Sequence, residues 1–328
     1  HDKIKKTIYY KNASLKIYDN KVFYFPKFFH PDPTVKRQSG FLIPRLQDNT
    51  TTGLSLNLPY FIAISDNKDM TLNPRFFADD QFLLQSEFRQ KNKDSNHIAD
   101  LSQFISENEN SKGHLFYNFF KNYKNETFDE IDLNINLEQV SDETYLKAYK
   151  IKSPIINNTS NLTNSINANF YNDRTSINTN LDIYEDLSKE DSDKYEYVPN
   201  FSFSKVINNN YSINSKGYYK NYNTNITEKV LINNFEFSST PKYLDNGLIN
   251  ETKFLVKNVN SEANNSKNFK NEKSIYLSPT MQSNYSFPLE KNTNKFNNII
   301  KPKISLKLSL PHNKDVRNSD QKINYENI

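Results

Sequence analysis

Apolar and polar residues alternate strictly over several stretches of this 328-residue chain, and that period of two constrains its fold more than any other feature. Every even position from Leu54 to Ile64 is apolar. The odd positions between them are mostly polar, apart from Pro59, Phe61 and Ala63. The same alternation covers odd positions in 131–137 and even positions in 304–310. A period of two puts alternate side chains on opposite faces of a β-strand, whereas a helix needs 3.6. The sequence therefore predicts an all-β fold.

The spacing of these strands indicates consecutive antiparallel hairpins. About fourteen candidate strands follow Ser39, separated by Asn, Asp, Ser, Lys and Gly clusters that suit turns and loops. Short turns and long loops alternate, as they do in a transmembrane antiparallel β-barrel of the outer-membrane type. A soluble sheet or a β-solenoid shows the same period, so the alternation alone leaves those architectures open.

Composition excludes several other classes. The mean hydropathy is −0.83 and the sequence has no apolar run long enough for a spanning helix, so it is not a helical membrane protein. The formal charge of +4 is spread along the chain, which argues against nucleic-acid binding. With no cysteine, this stretch builds no disulfide, thiolate nucleophile or zinc cluster.

No catalytic or metal-binding pattern is present in the sequence. The five histidines lack metal-ligand spacing and are predicted to lie in loops or on strand surfaces: His1, His30, His97, His114 and His312. The carboxylate runs lack the glycine and final Glu of a calcium loop. There is no nucleophile elbow or phosphate-binding glycine loop. We therefore expect no enzyme activity, no cofactor and no metal.

The segment from Tyr10 to Arg89 carries a specific resemblance. Its key stretches read "YYKNASLKIYDNKVFYFPKFFHPDPTVKRQSGFLIPRL", "LNLPYFIAISDNKDMTLNPRF" and "LLQSEFRQ". These resemble the LptD family of lipopolysaccharide-assembly proteins, also called organic solvent tolerance proteins, from the Gram-negative outer membrane. The end of the chain, from Lys301, is similar to a mid-barrel stretch of that family, whereas 150–270 matches only in strand rhythm.

The resemblance implies a fold and a place in the cell. Family members have a periplasmic β-jelly-roll that receives lipopolysaccharide from the LptA bridge, followed by a large barrel plugged by the lipoprotein LptE. By this resemblance residues 1–38 are the end of the jelly-roll and a hinge, and 39–328 are the first part of the outer-membrane barrel. The chain is then expected to be a piece of a longer protein.

The same resemblance implies roles for four prolines. Pro44 falls in the expected first barrel strand and Pro59 in the second, where each removes a backbone donor. From the residues alone, each reads as a strand terminator. The resemblance implies instead that both weaken a lateral gate through which acyl chains move into the membrane. Pro31 and Pro33, in "HPDP", are expected to form a rigid hinge between jelly-roll and barrel.

Two further sets of residues are candidates for contact with lipopolysaccharide. Lys36 and Arg37 either meet lipid A phosphates or are solvated linker cations. Four apolar side chains of the jelly-roll piece either line the acyl-chain groove or pack an ordinary core: Leu15, Ile17, Val22 and Phe28.

The expected function is thus transport and assembly of lipopolysaccharide, with insertion into the outer leaflet through the gate. Two alternatives from other classes remain open at this point. A passive porin shares the barrel pattern but does not need the motif of the junction. A β-rich surface protein that binds glycans would keep the alternation in soluble form.

Overall fold

The computed structural model describes residues 7–17, 20–31, 37–78, 81–107, 110–189, 193–222, 225–292 and 296–310. Within them the chain is almost entirely antiparallel β-structure, as the alternation predicts. The strands of the first part of the chain are β1 (Thr7–Ile17), β2 (Asn20–Pro31), β3 (Gly40–Phe41), β4 (Arg45–Asn49), β5 (Gly53–Asn57), β6 (Tyr60–Ser65), β7 (Lys68–Phe77), β8 (Phe82–Lys91), β9 (Ser95–Ile105), β10 (Lys112–Tyr123) and β11 (Glu130–Val140).

After β11 comes a short helix, α1 (Tyr145–Ala148), and then a second series of strands. These are β12 (Asn161–Asn172), β13 (Thr175–Asp186), β14 (Tyr195–Val206), β15 (Tyr211–Tyr222), β16 (Ile226–Ser238), β17 (Lys242–Tyr243), β18 (Ile249–Asn264), β19 (Lys273–Ser286), β20 (Leu289–Asn292), β21 (Asn297–Ile300) and β22 (Lys303–Ser309). Among the described residues no helix has the length and apolarity needed to cross a membrane.

The chain divides into two compact units. Unit 1 comprises 1–115 and 140–153, and unit 2 comprises 116–139 and 154–328. In unit 1, β1 and β2 form a hairpin with its own two-stranded sheet, with Thr7 opposite Pro31. Among the other strands of unit 1, β3 pairs with β6, β4 with β5, both β5 and β6 with β7, β7 with β8, and β8 with β9.

Unit 2 is a regular antiparallel meander. Each strand from β11 to β15 pairs with the strand that follows it in the chain. Beyond these, β16 pairs with β18, β18 with β19, and β19 with β22. The two-residue β17 pairs with β18, and β20 pairs with β21 as a separate hairpin. Asn172 closes the β12–β13 turn, its side-chain oxygen accepting hydrogen bonds from the backbone N–H groups of Arg174 and Thr175. Local turn chemistry of this kind keeps the strands adjacent in space.

One face of unit 2 is apolar and the other polar. The apolar face exposes large side chains of β12, β13, β14, β16, β18 and β19: Ile166, Leu181, Phe201, Leu231, Phe254 and Met281. On the opposite face Asn178 donates to Ser202 Oγ at 3.0 Å, and Asn136 donates to the carbonyl of Thr163 at 2.8 Å. The alternation of 131–137 is confirmed, because all four of its apolar residues lie in the uninterrupted β11.

Candidate functional site

The two strands that carry Pro44 and Pro59 are both interrupted. We call Gly40–Asn49 the first strand and Gly53–Ser65 the second strand. In the first strand, β3 ends at Phe41 and β4 begins at Arg45; in the second, β5 ends at Asn57 and β6 begins at Tyr60. Phe41 lies opposite Tyr60 and Arg45 opposite Asn57, so three residues of one strand face two of the other. Pro44 and Pro59 lie in these breaks, at the ends of the regular pairing and not within it.

A single backbone hydrogen bond is described across the break, from Leu42 N–H to the carbonyl of Pro59 at 2.8 Å. On the other side of the second strand, Leu58 N–H donates to the carbonyl of Pro74 in β7 at 3.0 Å. Proline has no N–H to return such a bond. Pro44, Pro59 and Pro74 thus weaken the backbone ladder at one level of three successive strands.

Large apolar side chains of the first strand are exposed. Phe41 is 77 % exposed, Ile43 82 % and Leu46 69 %, although they do not all lie on one face. By contrast Ser55 and Asn57 of the second strand are buried. A strand with exposed side chains and a broken ladder has little burial to hold it in place.

Arg37, just before the first strand, contacts the β6–β7 turn. Its guanidinium forms an ion pair with the Asp69 carboxylate and donates to the carbonyl of Asp66 at 2.9 Å. Arg89 Nε bonds the other carboxylate oxygen of Asp69 at 2.8 Å, and the Asp69 side chain is only 11 % exposed. Two cations around a shielded carboxylate form charge-assisted hydrogen bonds. Arg37 thus has an ion-pair partner within unit 1, although a third of its side chain is exposed.

Two more side chains connect the first strand to its surroundings. Ser39 Oγ accepts a hydrogen bond from Ala63 N–H at 2.9 Å, beside a register irregularity of the β6–β7 pair. At the other end, Asn49 Nδ2 donates to the carbonyl of Ala148 at 2.7 Å. Side chains thus supply contacts where the backbone ladder is short of them.

Residues 141–153, which we call the strap, cross strands of unit 1 and contain α1. Three strap carbonyls accept side-chain hydrogen bonds from different strands. Asn49 of β4 bonds Ala148, Arg75 of β7 bonds the carbonyl of Tyr149 at 2.6 Å, and Gln85 of β8 bonds that of Lys152 at 2.9 Å. Such donors satisfy carbonyls that a four-residue helix leaves without partners.

Aromatic rings pack the strap onto the sheet. Tyr149 lies 4.5 Å from Phe104, 6.1 Å from Phe77 and 5.1 Å from Tyr145, measured between ring centroids. Phe104, Tyr145 and Leu146 have no exposed surface. This is the main apolar core of unit 1, and burial of large aromatic side chains is its principal source of stability.

A polar network lies beside the aromatic core. Ser102 Oγ is hydrogen-bonded to His114 Nδ1 at 2.5 Å and to the hydroxyl of Tyr145 at 2.6 Å. His114 Nε2 lies 3.3 Å from Asp100, and both side chains are fully buried. The prediction that His114 is a loop or strand-surface residue was therefore wrong. Burial raises the pKa of Tyr145 to about 12, although the bond with Ser102 opposes the shift.

The sequence did not reveal this core. Its strap residues lie in a stretch, "SDETYLKAYKIKS", that has no strand alternation and reads as a loop. One signal was available in the sequence. Tyr149 follows Tyr145 by four residues and Leu146 by three, which is the spacing of side chains on one face of a helical turn. That spacing alone does not indicate which strands the segment packs against.

Several predicted residues lie outside the described part of the structure. Pro33 and Lys36 are among these residues. Pro31 is the last residue of β2, but its side chain is not described. The same is true of the four candidate groove residues in β1 and β2: Leu15, Ile17, Val22 and Phe28. Their roles stay predictions.

The chain is similar to one protein family over most of its length. The profile of the family described as "LptD: LPS transport system D" matches residues 110–322. An LPS-assembly protein LptD of Pseudoalteromonas atlantica is 23 % identical over 197 residues, which are 60 % of this chain and 25 % of the relative.

Two other relatives carry the same name. That of Pseudomonas aeruginosa is 34 % identical over 102 residues, 31 % of this chain and 11 % of its own. That of Nitrosococcus oceani is 28 % identical over 163 residues, 49 % of this chain and 21 % of its own. The chain thus spans a quarter or less of the length of these curated relatives. Since the family profile matches well over half of the chain and the described residues are almost entirely antiparallel β-structure, the chain belongs to the LptD family of LPS transport proteins.

Proposed function

We propose that this chain is part of an outer-membrane protein that transports lipopolysaccharide and inserts it into the outer leaflet through a lateral gate at the first strand. The observation that carries the proposal is the paired break at Pro44 and Pro59, in a chain of the LptD family. The relatives are named as LPS-assembly proteins, which supports the cargo.

The two faces of unit 2 suit a wall between lipid and water. Its exposed apolar side chains, such as Phe201 and Leu231, would face acyl chains, and its Asn and Ser residues would face a polar lumen. Lipopolysaccharide needs both environments, because sugar without hydrogen-bond partners in hydrocarbon costs several kcal/mol per polar group. A lateral opening between two strands would keep the sugar hydrated in the polar lumen while the acyl chains enter the membrane.

The break explains why opening would occur at the first strand. A regular ladder gives a pair of strands one backbone hydrogen bond per residue, each worth about 0.5–1.5 kcal/mol net. Around Pro44 and Pro59 these bonds are largely replaced by the single bond from Leu42. Exposed side chains such as Ile43 add little burial. Separation of the first strand therefore costs less than separation of any fully paired strand.

The remaining parts of the proposal concern the whole protein. Residues 1–38 would be the periplasmic end of a jelly-roll that takes lipopolysaccharide from LptA, and 39–328 would belong to a barrel plugged by LptE. Pro31 and Pro33 would form the hinge, Lys36 would meet lipid A phosphates, and apolar residues of β1 and β2 would line the acyl-chain groove. The hairpin β1–β2, separate in its own sheet, is compatible with this division.

The test of the cargo is depletion of the full-length protein that contains this chain. We expect newly made lipopolysaccharide to accumulate inside the cell envelope and its surface amount to fall. Unchanged surface lipopolysaccharide after depletion would contradict the proposed transport function.

The test of the gate is the double variant Pro44→Val/Pro59→Val in the full-length protein. Two restored ladder bonds should lower the population of the open gate, and hence the export rate, about tenfold. Pro199→Val is the matched control, because Pro199 lies within the continuous strand β14, opposite Leu181 in the unbroken ladder between β13 and β14. Export is measured as the rate at which labelled lipopolysaccharide reaches the surface. Normal export in the double variant would exclude the gate role while leaving the cargo intact.

A further inference from the structure

Two lysines lie close together on the polar face of unit 2. Lys216 of β15 is directly opposite Ser202 of β14, which belongs to that face. Lys257 of β18 is opposite Asn234 of β16, and Asn234 is opposite Asn214, two residues before Lys216. Directly opposed residues of antiparallel strands share a face, and so do alternate residues of one strand. Both lysines therefore project from the polar face, in two adjacent rows of side chains.

The two rows that contain these lysines carry amides and hydroxyls but no acidic residue between β13 and β19. The row of Lys257 is otherwise serine and asparagine: Ser176, Ser204, Asn214, Asn234 and Ser278. The row of Lys216 also contains Asn178, Ser202, Ile232, Val259 and Tyr276. The rows thus form a hydrogen-bonding surface with two positive charges.

The charges of this surface are not balanced in the way that a neighbouring cation is. Lys220, four residues after Lys216 on the same face, pairs with Glu196 at 2.5 Å. Among the residues that the structure describes, Lys216 has no carboxylate within ion-pair distance, and Glu236, one row further along β16, forms no ion pair. The ammonium groups of Lys216 and Lys257 are close enough to repel each other. An anion placed between them would remove that repulsion.

An amide between the lysines has an unmet acceptor. Asn234 Oδ1 is buried and has no hydrogen-bond partner among the described residues. Buried polar atoms normally have such a partner, so this atom requires an explanation. Because β16 lies between β15 and β18, the acceptor lies between the two cationic side chains. Lysine side chains are flexible, and their displacement by a ligand would uncover it.

We propose that Lys216, Asn234 and Lys257 form a binding site for a phosphorylated sugar, which holds the anionic head of lipopolysaccharide on the polar face during transport. The inference rests on the proposed function and adds which chemical group of the cargo this face recognises. A phosphate monoester carries a charge of about −1.5 to −2 at neutral pH, which two ammonium groups balance. A hydroxyl of the sugar donates to Asn234 Oδ1, which accepts hydrogen bonds but cannot bind an anion.

The first experiment detects the cargo at the site in living cells. A photoreactive amino acid replaces Ser278, which is opposite Lys257, in the full-length protein. In a second protein it replaces Asn167, on the polar face of β12, which is opposite Asn134 and Asn180 and has no lysine beside it in those pairs. We expect light-dependent adducts with lipopolysaccharide at both positions. In the Lys216→Gln/Lys257→Gln variant the adducts at 278 should fall roughly fivefold relative to those at 167.

Two further variants separate charge from local structure. Lys216→Arg/Lys257→Arg keeps both charges and should keep most of the adducts at 278. Lys220→Gln removes a cation of the same strand and face that is paired with Glu196, and should leave the ratio of adducts unchanged. All yields are divided by the amount of folded protein, judged from its heat-modifiable mobility on gels.

The second experiment identifies the group that is bound. The purified full-length protein with the photoreactive amino acid at 278 is exposed to lipopolysaccharide, to chemically dephosphorylated lipopolysaccharide or to phosphatidic acid. We expect roughly fivefold more adduct with intact than with dephosphorylated lipopolysaccharide, and no such difference in Lys216→Gln/Lys257→Gln. Phosphatidic acid, which has a phosphate but no sugar, should give less adduct than intact lipopolysaccharide.

The outcomes distinguish this site from the proposed function. Equal adducts with and without phosphate, or an unchanged ratio in the double glutamine variant, would overturn the site. Phosphatidic acid that reacted as well as lipopolysaccharide, in competition with inorganic phosphate, would overturn recognition of the sugar. An equal loss at 278 and 167 would show that the lysines do not act locally. Absence of lipopolysaccharide adducts at both positions in the parent protein would contradict the transport function itself, so the two proposals fail separately.

Discussion

The pair of first and second strands and the β12–β13 hairpin are both antiparallel, but they are stabilised in different ways. Every residue of the 12-residue β12 pairs with β13, from Asn161 opposite Asp186 to Asn172 opposite Thr175. The first and second strands pair only in two short segments on either side of a proline break. One ion pair, one hydroxyl and one amide connect the segment 37–49 to β7, to the second strand and to the strap.

The two regions differ in which interactions stabilise them, backbone hydrogen bonds in β12–β13 and side-chain contacts in the interrupted pair. A continuous ladder spreads its stabilisation over many equivalent bonds, so it loses little when one is removed. The interrupted pair depends on a few specific side chains and on the strap that packs across unit 1. Local stability of this kind permits one element to open while its neighbours stay folded.

The strongest way to test this comparison is Phe104→Ala. Phe104 is fully buried against Tyr149, and truncation of a buried Phe costs about 3–5 kcal/mol. Hydrogen exchange should accelerate in the first and second strands while β12–β13 remains protected. Phe201→Ala is the control, since Phe201 is 40 % exposed and lies in unit 2. Equal acceleration in both regions would show that the strap does not stabilise the interrupted pair selectively.

A second test uses two glycines of different surroundings. A Cβ at Gly113 would lie 2.3 Å from the carbonyl oxygen of Ser102, whereas a Cβ at Gly40 would meet nothing within 4 Å. Gly113→Ala should therefore lower the free energy of unfolding by about 1–3 kcal/mol through overpacking. Gly40→Ala should be neutral or slightly stabilising, because alanine restricts the unfolded chain. Thermal unfolding in detergent, followed by gel mobility, measures both, and a larger loss at Gly40 would contradict the open surroundings of the first strand.

The strand pattern was predictable because period-two alternation is a local property. In β11 the predicted face from Ile131 to Leu137 agrees with the structure. The run from Leu54 to Ile64 was predicted as one strand, but it breaks at Leu58 and Pro59. The break depends on the backbone hydrogen bond that a proline cannot donate to the neighbouring strand. The alternation of apolar and polar residues carries no information about that bond.

The contacts of the candidate site were less accessible to sequence reasoning. The motif pointed to Arg37, but its partner Asp69 lies 32 residues further on. The strap was missed altogether, since Ala148 and Asn49 are 99 residues apart. Contacts over such separations follow from the register of several strands and not from local propensity.

The smallest predicted effect concerns Tyr145, which joins the strap to the polar network. Its pKa rises from an ordinary 10.0 to about 12 because burial disfavours the phenolate. The neutral form therefore stabilises the folded state fully below pH 10, and this contribution is lost as the pH rises towards 12. Tyr145→Phe should lose about 1 kcal/mol at neutral pH, with the hydrogen bond to Ser102, and should lack the alkaline loss.

Proteolytic accessibility of the strap, measured over that pH range, distinguishes the two proteins. In the parent protein the strap should become cleavable as Tyr145 ionises, whereas the phenylalanine variant should show a flat profile. Tyr243→Phe serves as the control, because Tyr243 is 78 % exposed. Loss of its hydroxyl group should leave the pH dependence of strap cleavage unchanged. If the alkaline transition persisted in Tyr145→Phe, another group would control the strap. If β12–β13 opened over the same range, the separation between a region held by side chains and one held by its ladder would fail.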